Sequence, residues 1–185
     1  MSITVGVMGS AGDAPGVSSK EALAEKASAL ALALAERGVL LLTGATTGIV
    51  YVVGKAAYET GILHVGISPA HNSEEHVGRY KLPLDACNLI VYTGFGLKGR
   101  NVVLVRSCDI VLFVAGAMGS LNEFTIAHDE GKVIGCLTGT GGLADEVDYL
   151  LKKFSKNTDT PVFHDEDAVK LLDACINELR NRQQQ

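Results

Sequence analysis

The stretch DIVLFVAGAMGSLNEFTIAHDEGK, Asp109 to Lys132, joins an apolar run to a helical pattern through Gly116-Ala117-Met118-Gly119-Ser120. Glu123 follows one helical turn later. Small residues at a strand-to-helix corner let backbone N–H groups approach an anion, and the helix N-terminus favours negative charge. A carboxylate beside them could move a proton or steady a developing cation. Ser120-Leu-Asn-Glu123 also fits a capping box, in which Glu123 would accept from the Ser120 backbone N–H. Either the corner only turns the chain, or it holds a ligand and acts on it. Arg100 is a second residue of chemical interest. The pattern starts a helix there, where a cation opposes the helix dipole unless an anion is present.

Other glycine-rich segments repeat the theme. Gly9, Ser10, Gly12 and Gly16 follow the first apolar run, and Gly44 and Gly48 follow the second. Gly94, Gly96 and Gly99 precede Arg100, and Gly139, Gly141 and Gly142 follow the run Val133–Leu137. One such loop is weak evidence, because tight turns need glycine anyway. Several at the same edge of a sheet favour a phosphate-bearing ligand. Gly94-Phe-Gly-Leu-Lys-Gly99 matches GxGxxG in form, but the next strand ends in Ala115-Gly116 and offers no acid for a ribose, so it reads as an anion loop. Gly54-Lys55 lacks the Ser/Thr and spacing of a phosphate-binding P-loop, so Lys55 reads as a solvated helix residue.

The elements that must position these residues alternate from end to end. Strands are expected at Ile3–Met8, Val39–Thr43, Ile62–Ile67, Asn88–Thr93, Ile110–Ala115, Val133–Leu137 and Pro161–Phe163. Helices are expected near Ser19–Arg37, Ile49–Thr60, Arg100–Ser107, Leu121–Glu130, Leu143–Lys152 and Asp165–Asn181. Ser18-x-x-Glu21 suits a capping box, and Gly38, Gly61 and Gly131 suit helix stops. Ser68–Asp85 is a long polar excursion, and the terminal RNRQQQ reads as frayed. Near-continuous Val/Ile/Leu strands are what a parallel sheet covered on both faces requires. The expected fold is a doubly wound, mainly parallel α/β sheet with helices on both faces, in one domain over residues 1–185.

Composition narrows the partners. The 185 residues are 47% hydrophobic and 20% charged, in the range of a globular chain with a sizeable core. A net charge of −5 and no Lys/Arg cluster give no footprint for nucleic acid. No apolar stretch reaches the length of a membrane span. Cys87, Cys108, Cys136 and Cys175 form no CxxC pair, and no signal peptide is seen, so a reducing cytoplasm is expected. His71-Asn-Ser-Glu-Glu-His76 lacks a further ligand in register and reads as a solvated loop rather than a metal site. His64 and His128 read as structural or exposed. Arg106 and Asp109 could pair with each other.

Two long segments carry a resemblance. TGATTGIVYVVGKAAYETGILHVGISP (Thr43–Pro69) resembles the second- and third-strand block of the Lonely Guy and "possible lysine decarboxylase" proteins. GRNVVLVRSCDIVLFVAGAMGSLNEF (Gly99–Phe124) resembles their arginine and PGGxGTxxE elements. The Gly-Arg-Asn wording and GTGGLAD (Gly139–Asp145) are most similar to the molybdenum cofactor carrier branch. The resemblance implies a Rossmann-like fold, a homodimer or higher homo-oligomer, and a nucleotide-type ligand beside the glycine loop. That ligand would be AMP-like or a molybdopterin-type cofactor, with no cofactor required. Lonely Guy members hydrolyse nucleoside 5′-monophosphates to free base and ribose 5-phosphate, whereas the carrier branch holds a pterin cofactor without turning it over. Carried over by position, the family's glutamate is Glu123 and its arginine Arg100. In a hydrolase Glu123 would stabilise the sugar cation or position water, and Arg100 would hold phosphate or base. Gly9, Ser10, Gly44, Gly48, Gly99, Asn101, Gly116, Gly119 and Ser120 complete the expected ligand-binding set. Ala115, Ala117 and Ser120 stand where the motif has Pro, Gly and Thr, and Asn101 stands where the hydrolases have lysine. The loss of that cation favours binding over catalysis. Nothing supports the Schiff-base lysine and pyridoxal phosphate of a decarboxylase.

Overall fold

The computed structural model describes residues 2–12, 16, 19–154 and 160–184. Among these residues, strands β1 (Thr4–Gly9), β2 (Leu40–Thr43), β3 (His64–Ser68), β4 (Leu89–Tyr92), β5 (Ile110–Val114), β6 (Val133–Leu137) and β7 (Val162–Asp165) alternate with seven helices. These are α1 (Lys20–Glu36), α2 (Ile49–Glu59), α3 (Ser73–Gly78), α4 (Gly96–Arg106), α5 (Met118–Asp129), α6 (Gly142–Phe154) and α7 (Ala168–Arg182). Every strand pairing is parallel, in the order β4-β3-β2-β1-β5-β6-β7. The doubly wound α/β fold expected from the pattern is the fold observed.

The apolar strand runs have a direct physical reason. Ile110, Leu112 and Val114 of β5 pack against α1, α2 and α7, whereas Val111 and Phe113 pack against α4, α5 and α6. Both faces of β5 are therefore buried, and an alternating polar pattern there would place polar groups in the core. Phe113 meets Phe124 of α5 edge-on, with ring centroids 5.8 Å apart, which seats α5 on the sheet.

Several expectations change. α4 starts at Gly96, so Arg100 lies in its second turn and the helix-dipole argument does not apply to it. Gly99 is inside this helix, packed so closely on Phe95 that an added Cβ would lie 2.9 Å from the Phe95 Cβ. Packing overrides the weak helix propensity of glycine. α5 starts at Met118 with Ala117 as its N-cap and no side-chain cap, which excludes the Ser120/Glu123 capping box. The polar excursion carries α3, capped by the Asn72 side chain accepting from Glu75 N at 2.9 Å. For α1 the cap is Ser19, accepting from Ala22 N at 3.2 Å, and the expected cap Ser18 lies outside the described residues. α7 continues through Arg180–Arg182, where Arg182 Nη1 donates to the Gly131 carbonyl at 2.7 Å, so this part of the tail is not frayed. Arg106 pairs with Glu130 at 2.6 Å, and Asp109 instead accepts from Thr4 N and Oγ1, each at 2.8 Å. Among the described residues, no helix is long and apolar enough to cross a membrane.

Candidate functional site

The chain winds outward from β1 to β4, then returns to place β5 on the other side of β1. Loops leaving β1 and β5 diverge to opposite sides of the sheet, which opens a crevice at the carboxyl edge between them. A cavity of about 280 Å³ lies there. Of the residues expected from sequence, Gly9, Ser10, Gly44, Arg100, Asn101, Gly119, Ser120 and Glu123 line it. Gly48, Gly99 and Gly116 do not. Gly48 packs beneath Ser10 and Ala11, Gly99 packs on Phe95, and Gly116 turns the β5–α5 corner under Ser120 and Leu143 with φ of 107°.

Leu97 and Lys98 were missed by the sequence reading and line the same cavity. Once α4 is known to begin at Gly96, Leu97, Lys98 and Asn101 fall on one side of its first turns by helical spacing. Lys98 is exposed, and its charge acts on Glu123. It supplies a lysine at the cavity rim although Asn101 replaces the one expected beside Arg100. Thr46 is a further lining residue with no sequence signal.

The polar groups in this cavity are deeply placed. Arg100 is 6% exposed, Glu123 7%, Asn101 3% and Ser120 2%. The Arg100 guanidinium lies against the backbone of Gly44, where any Cβ would overlap it. Among the described residues its nearest carboxylate oxygen is Glu123 Oε1, 3.9 Å from Nη1, which is too long for a hydrogen bond. Arg100 Nε and Ser120 Oγ are both buried with no hydrogen-bond partner among the described residues. Asn101 satisfies its surroundings when its amide nitrogen donates to Glu123 Oε1 at 3.1 Å and to the Leu97 carbonyl at 3.0 Å.

Burial controls the protonation of the pair. It pushes the Glu123 carboxyl up to about 7, against the opposing charges of Arg100 and Lys98. It also lowers the Arg100 pKa, against the attraction of Glu123. Glu123 therefore exchanges a proton near neutrality, where a general acid or base works best. At the other wall, α5 has no side chain capping its first turn, so the N–H groups of Met118, Gly119 and Ser120 are not used by a cap. Lys98, Arg100, Gly119 and Ser120 line one cavity beside an uncapped helix start, an arrangement suited to an oxyanion.

A second cavity of about 520 Å³ shares Ala117 with the first and is lined by Met118, Leu121, Leu143 and glycines 16, 116, 141 and 142. Asp145 at its edge is held by the backbone N–H groups of Gly139 and Gly141 at 2.8 and 2.9 Å. No group of three or more His, Cys, Asp or Glu among the described residues could hold a metal ion. His76 is instead buried, bonded to Ser68 Oγ at 2.8 Å and the Pro83 carbonyl at 3.0 Å.

The SLOG cluster4 family matches residues 2–172. The chain belongs to this family. Its fold is similar to the X-ray structure of TM1055, with a TM-score of 0.76 and 26% identity over 93% of this chain and 99% of that one. It is also similar to the molybdenum cofactor carrier protein MCP of Chlamydomonas reinhardtii, with a TM-score of 0.73 and 22% identity over 98% of this chain and 99% of that one. At that identity the second likeness shows the shared Rossmann-like fold. A curated relative, an uncharacterized protein of Archaeoglobus fulgidus, is 32% identical over 104 residues, or 56% of this chain. The match spans 63% of that relative's length, less than two thirds of it.

Proposed function

We propose that this SLOG cluster4 protein binds a phosphate-bearing small molecule of nucleotide or pterin type in the crevice between β1 and β5, as a carrier does. The observation that carries this reading is that Arg100 and Ser120 both line one cavity while Arg100 Nε and Ser120 Oγ are buried without a partner among the described residues. A buried donor without a partner costs about 1–3 kcal/mol, so two in one cavity favour a ligand that completes them. Phosphate oxygens accept from Ser120 Oγ and the first N–H groups of α5, with Arg100 and Lys98 balancing the charge. The apolar cavity across Ala117 accommodates the ring system. The likeness to a molybdenum cofactor carrier supports a molybdopterin-type ligand. The donors here fit the phosphate end of such a cofactor.

A second reading rests on Glu123. A carboxyl that titrates near 7 beside a cation suits the hydrolysis of a nucleoside 5′-monophosphate to base and ribose 5-phosphate, as in the Lonely Guy proteins. Thermal-shift measurements with AMP, GMP, ribose 5-phosphate and pterin phosphates, alongside an assay for free base, separate the two. Binding at about a hundredfold excess over Kd raises Tm by roughly 5–10 °C, and the Arg100→Ala variant loses the rise. Base release that vanishes in Glu123→Ala would replace the carrier reading with the hydrolase. If no phosphate compound shifts Tm, both readings fail.

A further inference from the structure

His64 is 1% exposed in β3, and its ring occupies space left by Gly54 of α2, where a Cβ would lie 2.6 Å from the imidazole Cε1. Its Nδ1 faces the Ala86 carbonyl, which can only accept, so Nδ1 carries the proton and donates. Nε2 is then an acceptor, and the Thr43 hydroxyl, 2.8 Å away at the end of β2, donates to it. The Thr43 oxygen still has a lone pair, which accepts from the Ala45 backbone N–H at 3.2 Å. Burial lowers the His64 pKa and favours the neutral imidazole, and with that ring each proton in this chain of bonds has one direction.

Ala45 needs such a hold. Its φ of 49° is left-handed, which a residue with a Cβ seldom adopts. Its Cβ is tolerated against β3 because residue 66 is glycine, where an added Cβ would lie 2.7 Å from the Ala45 Cβ. The turn matters because the residue between Thr43 and Ala45 is Gly44, the wall against which the Arg100 guanidinium lies. Arg100 has no hydrogen bond among the described residues that would fix it otherwise, only the Glu123 contact at 3.9 Å. Shape holds the guanidinium, and the turn at residues 43–45 provides the shape.

We propose that His64 is a positioning residue for the anion site, acting through Thr43 and the left-handed Ala45 turn to fix the Gly44 wall and so the Arg100 guanidinium. The effect on ligand rests on the reading of Arg100 as an anion-binding residue. The effect on Arg100 itself does not.

Two variants remove the chain of bonds: Thr43→Val, which keeps the branched shape, and His64→Phe, which fills the ring volume. Thr43→Ser restores the hydroxyl, and Leu171→Ala on the α7 side of the core controls for general destabilisation. The readouts are the Arg100 Nε–H resonance, assigned by its loss in Arg100→Ala, and the Kd for AMP by calorimetry. Thr43→Val and any folded His64→Phe should move the Arg100 line and weaken AMP binding about tenfold. Thr43→Ser should keep both near wild type, and Leu171→Ala should lower Tm while changing neither. An Arg100 line unmoved in Thr43→Val, or moved equally by Leu171→Ala, overturns the positioning role. Should AMP not bind wild type, the nucleotide reading fails, and the Arg100 line alone still decides the role of His64.

Discussion

Arg100 and Glu123 are both buried, yet stand too far apart for a hydrogen bond. An ion pair in that state loses hydration without gaining close contact, so it stabilises the fold little by itself. Glu123 makes this testable through pH. Its folded pKa of about 7 lies above the roughly 4.3 of an unfolded glutamate. Between those values the native state holds a proton that the unfolded state has released. The stabilisation is thus fully present below about pH 4 and is lost as pH rises through 7. Gln mimics the protonated acid. Calorimetry should show Glu123→Gln close to wild type at pH 4 and more stable at pH 8, by on the order of 4 kcal/mol. A difference that stays constant across this range would place Glu123 in an ordinary carboxylate environment. Arg100 and Glu123 were singled out by their place beside glycine-rich corners and by the resemblance, and the structure puts both on one cavity, although Arg100 lies in the second turn of α4 rather than at a helix start. The capping box was misread because Ser120 lies two residues inside α5, where its buried hydroxyl has no partner among the described residues.

Among the elements, β6 was legible to the residue and β5 to within one residue, because burial on both faces demands unbroken apolar runs. The starts of α4 and α5 were not. Neither helix has a side-chain cap, and glycines at 96, 99 and 119 read as loop although they lie within helices. That error hid Lys98, which reaches the cavity rim only because the first turn of α4 is helical. The β2–α2 loop shows how closely elements set the site. A Cβ at Gly44 would overlap the Arg100 guanidinium, so Gly44→Ala must displace one or the other. Overpacking of this kind costs about 1–3 kcal/mol. Gly44→Ala should therefore lower Tm and also abolish the Tm rise given by phosphate compounds. Gly61→Ala, where an added Cβ meets nothing within 4 Å, should strain its left-handed backbone and lower Tm while the ligand response survives. If Gly44→Ala retains the full ligand response, the guanidinium is not held by this wall.

Across the whole molecule, the strand order creates the crevice, and alternation of elements made that order inferable only in outline. A βαβ rhythm requires parallel strands but does not say where the winding reverses. The reversal between β4 and β5 decides which loops face each other, bringing the residues after β1 and β2 against those of α4 and α5. The same winding leaves β4 at the sheet edge, with Leu89 56% and Val91 42% exposed beside Phe95 at 67% and Leu97 at 53%. An apolar edge of this kind invites a partner. Light scattering should find a homodimer or larger homo-oligomer, and Leu89→Lys should shift it toward monomer. A monomeric wild type at micromolar concentration would exclude that assembly. The central claim concerns where an anion sits, and a crystal structure of the AMP complex tests it most directly. The phosphate should accept from Ser120 Oγ and the first N–H groups of α5, with Arg100 completing its contacts in the same cavity. A phosphate bound elsewhere, with Arg100 Nε and Ser120 Oγ still unpartnered, would contradict it.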